Sequence, residues 1–153
     1  MKILVINPGG TSTKIAVFED EKELFKENIT HTGEDLKGFP HVFDQFGYRK
    51  DIILETLKKA GFEIRTFAAV AGRGGLMNPI PGGTYTVNSR MVEDLRGAIH
   101  GEHPSNLGAV LAKEIGDEIG ASSFVVDPVS VDELMPKARI SGISDLERPS
   151  WFH

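Results

Sequence analysis

The opening of the chain constrains it most. Lys2-Ile3-Leu4-Val5-Ile6 is an apolar run that meets Asn7-Pro8-Gly9-Gly10-Thr11-Ser12-Thr13-Lys14, and Ile15-Ala16-Val17-Phe18 leads away again. The central loop offers backbone N–H groups that glycine lets approach an anion, three hydroxyls, an amide and a lysine, all of them phosphate ligands. A Walker-type loop opens a helix and needs Gly-Lys-Ser/Thr. Here β-branched and aromatic residues follow, so the chain turns back as a strand. A phosphate loop at the tip of a hairpin points away from the P-loop and Rossmann arrangements. A glycine-rich hairpin without ligand has the same local pattern.

The pattern continues as a layered α/β domain. Glu23–His31 alternates and predicts a third strand, closing an antiparallel meander, and Thr32 to Pro40 reads as a loop. Ile53, Leu54 and Leu57 share one face of a helix that starts near Val42 and stops at Gly61. Phe67–Ala71 and Ser123–Val126 are short apolar runs that read as buried strands, closed by Gly72 and Asp127. The stretch from Gly72 to Gly83 predicts a functional loop or a pair of tight turns. Asn88 caps a helix over Ser89–His100, a second runs from Pro104 to Gly116, and Val131–Ile143 suggests a short helix and an exposed crossing segment. The order β-β-β-α-β-α-α-β implies a mixed sheet, with a meander joined to parallel strands by flanking helices.

Bulk properties narrow the partners. The 153 residues suit one domain, and 40% hydrophobic content fills one core. The net charge of −5, without a basic cluster, argues against nucleic acid. There are no cysteines, so neither disulfides nor thiolate metal sites form. Ile3–Ile6 is too short for a signal peptide, and no run matches a membrane span, so the expectation is a soluble cytoplasmic protein. The chain ends on Arg148-Pro149-Ser150-Trp151-Phe152-His153, an aromatic cluster straight after a loop, which reads as a cut rather than a finish.

Ligands of open α/β sheets gather at the carboxyl ends of strands. The Asn7–Lys14 loop is one such end. Gly72-Arg73-Gly74-Gly75 is another, where flanking glycines leave a guanidinium open to grip an anion bidentately. Asp127 is the third; a carboxylate there suits a metal-water or arginine-orienting role, and equally a turn aspartate. His103-Pro104-Ser105-Asn106 opens a helix, where capping and substrate contact are both open readings.

These motifs, in this order, resemble the acetokinase family of carboxylate kinases, in the actin/hexokinase/Hsp70-like ATPase superfamily. Asn7-Pro8-Gly9-Gly10-Thr11-Ser12-Thr13-Lys14 is similar to the family's N-terminal loop. Arg73 falls where the family has its active-site arginine. Pro104-Ser105-Asn106-Leu107 is similar to its helix start, Val126-Asp127 to the strand ending in its active-site aspartate, and Phe152-His153 to its Phe-His segment. Gly74 and Gly75 replace bulky residues of acetate kinases, His103 replaces an Asn, and Gly72 to Val87 resembles butyrate kinases. Glycine at 75 is expected to open room for a longer acyl chain, each further methylene being worth about 0.8 kcal/mol.

The resemblance implies a ribonuclease H-like (actin-like ATPase) N-terminal domain over residues 1–153, with a C-terminal nucleotide-binding domain missing. It implies ATP, Mg²⁺ and a short-chain carboxylate, and a homo-oligomer formed through the missing domain. Arg73, Asp127 and His153 take catalytic roles. Asn7, Gly9, Gly10, Thr11, Ser12, Thr13 and Lys14 hold phosphates, Asn7 and Asp127 serve Mg²⁺, and Arg73, Gly75, His103 and Phe152 meet the acid. An acetate, propionate or sugar kinase of the same superfamily, and a non-catalytic anion-binding module, are the competing readings.

Overall fold

A computed structural model describes residues 1–150. Phe152 and His153 therefore lie outside the described residues. Six strands form the main sheet: β1 (Lys2–Pro8), β2 (Ser12–Glu19), β3 (Lys22–Thr30), β4 (Ala69–Arg73), β5 (Thr84–Thr86) and β6 (Ser122–Val126). Their spatial order is β3-β2-β1-β4-β6-β5. The first three are antiparallel neighbours, β1, β4 and β6 run parallel, and β5 is antiparallel at the edge.

Alternation decides which face is core. Leu4, Ile6, Ile15, Val17 and Val70 are buried, with Ile53 and Leu57 of α2 (Phe46–Lys59) and Leu107, Leu111 and Ile115 of α4 (Asn106–Ile119) packed into the same cluster. Full burial of such a side chain is worth about 1.5–3 kcal/mol. A second cluster joins Val87, Val110 and Val125 to Leu95 of α3 (Ser89–Arg96). Ile3, Val5, Ala16, Phe18, Ala71 and Phe124 occupy the opposite face and are part-exposed.

Local chemistry sets the helix ends. Past α2, the Phe62 N–H donates to the Leu57 carbonyl at 2.9 Å and the Gly61 N–H to Lys58 at 3.0 Å, with Gly61 at φ 81°. That is a Schellman stop, made cheap by a residue without Cβ. The Asn88 side chain accepts the Met91 N–H at 2.8 Å and caps α3. Strand β4 and helix α4 meet with no side chain between them: a Cβ on Gly72 would land on the Gly108 carbonyl, and one on Gly108 on the Arg73 carbonyl.

Four expectations change. The helix predicted over Ser89–His100 ends at Arg96, because Ala98 (φ 47°) and Gly101 (φ 107°) turn the chain into left-handed conformations. Thr84–Thr86 forms β5, too short for alternation to reveal, but paired along β6. The helix suggested within Val131–Ile143 is replaced by a 3₁₀ turn (Pro136–Arg139) leading into the hairpin β7 (Ile140–Ile143) and β8 (Leu146–Glu147). The loop after β3 contains one helical turn, α1 (Gly33–Leu36), capped reciprocally by Thr32 and Asp35. Among the described residues, no helix is long and apolar enough to cross a membrane.

Candidate active site

Register gathers the polar residues at one end of the sheet. Lys14 pairs with Asn7 across β1 and β2, and Arg73 pairs with Val126 across β4 and β6. Ile6 pairs with Gly72, so Asn7 and Arg73 follow side by side on parallel strands. Ile6 and Gly72 face the helices; the next residue on each strand faces the other way. Lys14, between buried Thr13 and Ile15, faces that way too, and lines a shallow hollow with Asn7, Val5 and Phe18. Lys14, Asn7 and Arg73 thus form a row on one face. The Arg73 side chain is exposed and makes no hydrogen bond or ion pair among the described residues.

The β1–β2 loop stands above this row. The Gly9 N–H is used within the loop, donating to the Ser12 carbonyl at 2.7 Å, and the Thr11 carbonyl accepts the His31 N–H at 2.8 Å. The N–H groups of Gly10 and Thr11 meet no acceptor among the described residues, and both residues are exposed. They are the donors that the loop can offer an anion.

Thr13 departs from expectation. Its side chain is fully buried; Oγ1 accepts from Arg49 Nη1 at 2.8 Å and bonds His31 Nε2 at 2.8 Å. The hydroxyl is spent beneath the loop, so Thr13 is a loop anchor and not a phosphate ligand. The alternation that makes β2 a strand turns residue 13 toward α2.

Gly75 departs as well. A Cβ there would strike the backbone and Oδ1 of Asn106, and one on Gly74 would strike Pro128. The space left by the glycine is filled by the start of α4, not by solvent or a ligand cavity. Gly75 therefore opens no room for an acyl chain. Asn106 itself is buried: Oδ1 accepts the Leu76 N–H at 2.8 Å and Nδ2 donates to the Gly101 carbonyl at 3.0 Å. It ties the segment after Arg73 to α4. His103 Nδ1 accepts the Ser105 N–H at 3.2 Å and bonds Ser105 Oγ at 2.7 Å, a local closure of the helix entrance.

Asp127 adopts the turn reading. It sits at φ 39°, Oδ1 accepts the Gly83 N–H at 2.7 Å, and its own N–H donates to the Gly83 carbonyl at 3.0 Å. It makes no bond with Arg73 in this structure, so the arginine-orienting role is not realised here. One carboxylate oxygen remains for other use. Among the described residues, no group of three or more His, Cys, Asp or Glu side chains gathers. A Mg²⁺ ion fits such a site only in its usual manner, through one carboxylate, waters and the phosphates themselves.

The sequence reading missed Arg49. The side chain is fully buried on α2, and all of its N–H groups are used. Nε and Nη2 donate to Gln45 Oε1 at 3.0 and 2.8 Å. Nη1 donates to the Ser12 carbonyl at 3.2 Å, and Nη2 to the Gly10 carbonyl at 3.3 Å. His31 completes the group, its Nδ1 lying 3.0 Å from the Tyr48 hydroxyl. Burial first, then the Arg49 charge, hold the His31 pKa below its ordinary value. The signal was present in sequence: Arg49, Ile53 and Leu57 recur every four residues, placing a charge on the apolar stripe.

No protein-family model matches the chain. Individual proteins do. A protein described as a probable butyrate kinase from Clostridium botulinum is 54% identical over 152 residues, which is 99% of this chain and 43% of the relative. Butyrate kinase 1 of Clostridium acetobutylicum is 49% identical over the same shares. The chain spans less than half the length of these relatives. Among solved structures, an acetate kinase from Porphyromonas gingivalis superposes with a TM-score of 0.56 at 13% identity, covering 94% of this chain and 41% of that one. That likeness shows the actin-like ATPase fold. The chain is thus similar in sequence to butyrate kinases over 99% of its length, and it shares the fold of an acetate kinase.

Proposed function

We propose that the protein carrying this chain transfers the γ-phosphoryl group of ATP to butyrate or a similar short-chain acid, reversibly, and that residues 1–153 form its acid-side half. The observation that supports this most is the row Lys14–Asn7–Arg73, beneath a loop with two N–H donors, the guanidinium and both donors having no partner among the described residues. The acid is already ionised at neutral pH, so no strong base is needed. Its oxygen attacks the γ-phosphorus, and the bond to the bridging oxygen breaks and releases ADP. The difficulty is bringing an anion to a polyanion. Catalysis is then positioning and charge neutralisation.

Arg73 holds the carboxylate and the transferring phosphoryl group. The Gly10 and Thr11 N–H groups, with Ser12, Asn7 and Lys14, hold the phosphates. Asp127, through its free oxygen, and Asn7 would hold Mg²⁺, which would supply positive charge to the phosphates. The preference for butyrate rests on the sequence relatives and not on Gly75. The adenosine pocket belongs to the remainder of the protein, and the 153-residue piece alone is not a competent kinase.

The test is coupled detection of acyl phosphate from ATP, Mg²⁺ and butyrate, acetate or isobutyrate. It is run on the protein in its full natural length and on residues 1–153. Turnover in the long form and none in the short one is expected. No turnover with any short acid in the long form overturns the reading.

A further inference from the structure

A buried guanidinium commonly faces a carboxylate, because an unpaired charge away from water is costly. Arg49 faces none: its acceptors are the Gln45 amide oxygen, the Thr13 hydroxyl and the carbonyls of Gly10 and Ser12. Tyr48 and His31, its nearest titratable neighbours, are bonded to each other, and the exposed Asp35 carboxylate is bonded to Thr32. Arginine keeps its proton in such a setting. A full positive charge therefore sits under the loop, balanced by dipoles alone.

Two consequences follow at the loop surface. A trans peptide points its N–H opposite its carbonyl. Drawing the Gly10 carbonyl inward therefore turns the Thr11 N–H outward, where it meets no acceptor among the described residues. The charge also adds an attractive field for an anion on the far side of the same peptide, through protein rather than through solvent. We propose that Arg49 is a positioning residue of the anion loop. It orients the outward Thr11 N–H of the loop and supplies an uncompensated buried charge that strengthens phosphate binding, with neutral Gln45 as the partner that leaves the charge unspent.

The identity of the anion as an ATP phosphate rests on the function proposed above, so the test separates the two. In the full natural-length protein, Gln45→Glu keeps the acceptor of both guanidinium N–H bonds and cancels the charge. ATP binding is measured by calorimetry, the KM values for ATP and for butyrate by steady-state kinetics, and folding by urea denaturation. The expected result is a Kd and KM for ATP raised about tenfold, a butyrate KM within about twofold of the parent, and undiminished stability. A merely structural role for Arg49 predicts no such split. Gln45→Glu that binds ATP as the parent does overturns the proposal.

Arg49→Lys provides the second arm. It keeps the charge but loses the fork that holds the two carbonyls, and is expected to blunt the ATP-induced NMR shift of the Thr11 N–H. A parent-like shift overturns the orienting role, and if this variant fails to fold, Gln45→Glu alone decides. A parent that binds ATP but phosphorylates no short acid overturns the kinase reading and leaves the Arg49 test intact. A parent that binds neither ATP nor pyrophosphate overturns both.

Discussion

Two arginines stand at the same end of the sheet and are used in opposite ways. Arg49 lies beneath the β1–β2 loop, fully buried, with every N–H donated to a neutral acceptor. Arg73 ends β4 in solvent, with no partner among the described residues. A guanidinium whose donors are all spent inside the protein shapes its surroundings, whereas one with all its donors unspent is available to a ligand. The pair separates what builds the site from what the site offers.

The sharpest way to break this contrast is Arg73→Ala in the full natural-length protein. Removing a cation placed to meet both substrates is expected to cost about a thousandfold or more in turnover, near 4 kcal/mol of barrier, while the melting temperature stays unchanged because the side chain makes no hydrogen bond or ion pair among the described residues. Near-normal turnover would remove Arg73 from the reaction. Arg49→Met is the mirror image. It strands the Gly10 carbonyl and the Gln45 amide oxygen, takes one of two donors from the Ser12 carbonyl, and is expected to cost about 3 kcal/mol of stability, read as a lower urea midpoint. An unchanged midpoint would mean that the network adds nothing to folding.

Gly75→Ala tests whether the glycine beside Arg73 serves packing or acid selection. Collision with Asn106 predicts a loss of about 2 kcal/mol and an unaltered ratio of butyrate to acetate turnover. A stable variant with a shifted ratio would restore the pocket reading. The smallest effect concerns pH. His31 has a folded pKa below its unfolded value of about 6.5. The unfolded chain therefore binds the extra proton first, and stability falls as pH drops through 6.5 toward the folded value. Asp35, whose pKa is lowered chiefly by its bond from the Thr32 backbone, loses its contribution only at more acid pH. His31→Gln should flatten the urea midpoint between pH 7.5 and 5.5 (about a unit either side of that value); an unaltered slope would assign the effect to another group.

What was legible in the sequence follows from period and punctuation. The β1–β2 hairpin, the buried strands ending at Arg73 and Val126, and helices α2 and α4 all carry runs long enough for alternation or a fourfold spacing to register. Strand β5 did not, because three residues beside Gly82 and Gly83 show no period and are held by their pairing to β6. The loop was readable as a list of phosphate ligands, but not which of them faces outward. Thr13 was lost to the pleat and Gly75 to the close approach of α4, and both facts depend on elements distant in sequence. Arg49 lay outside any motif, and its role exists only once α2 has packed beneath the loop.

The glycine pair between β4 and α4 bears on motion. Where side chains separate two elements, rotamer exchange lets the gap breathe on the picosecond-to-nanosecond scale. Gly72 and Gly108 leave no rotamer to exchange, so the Arg73 backbone is held against the helix directly. Its range of movement is then confined to its own side chain: a flexible reach from a fixed anchor, whose amide should be among the slowest of the sheet to exchange with deuterium.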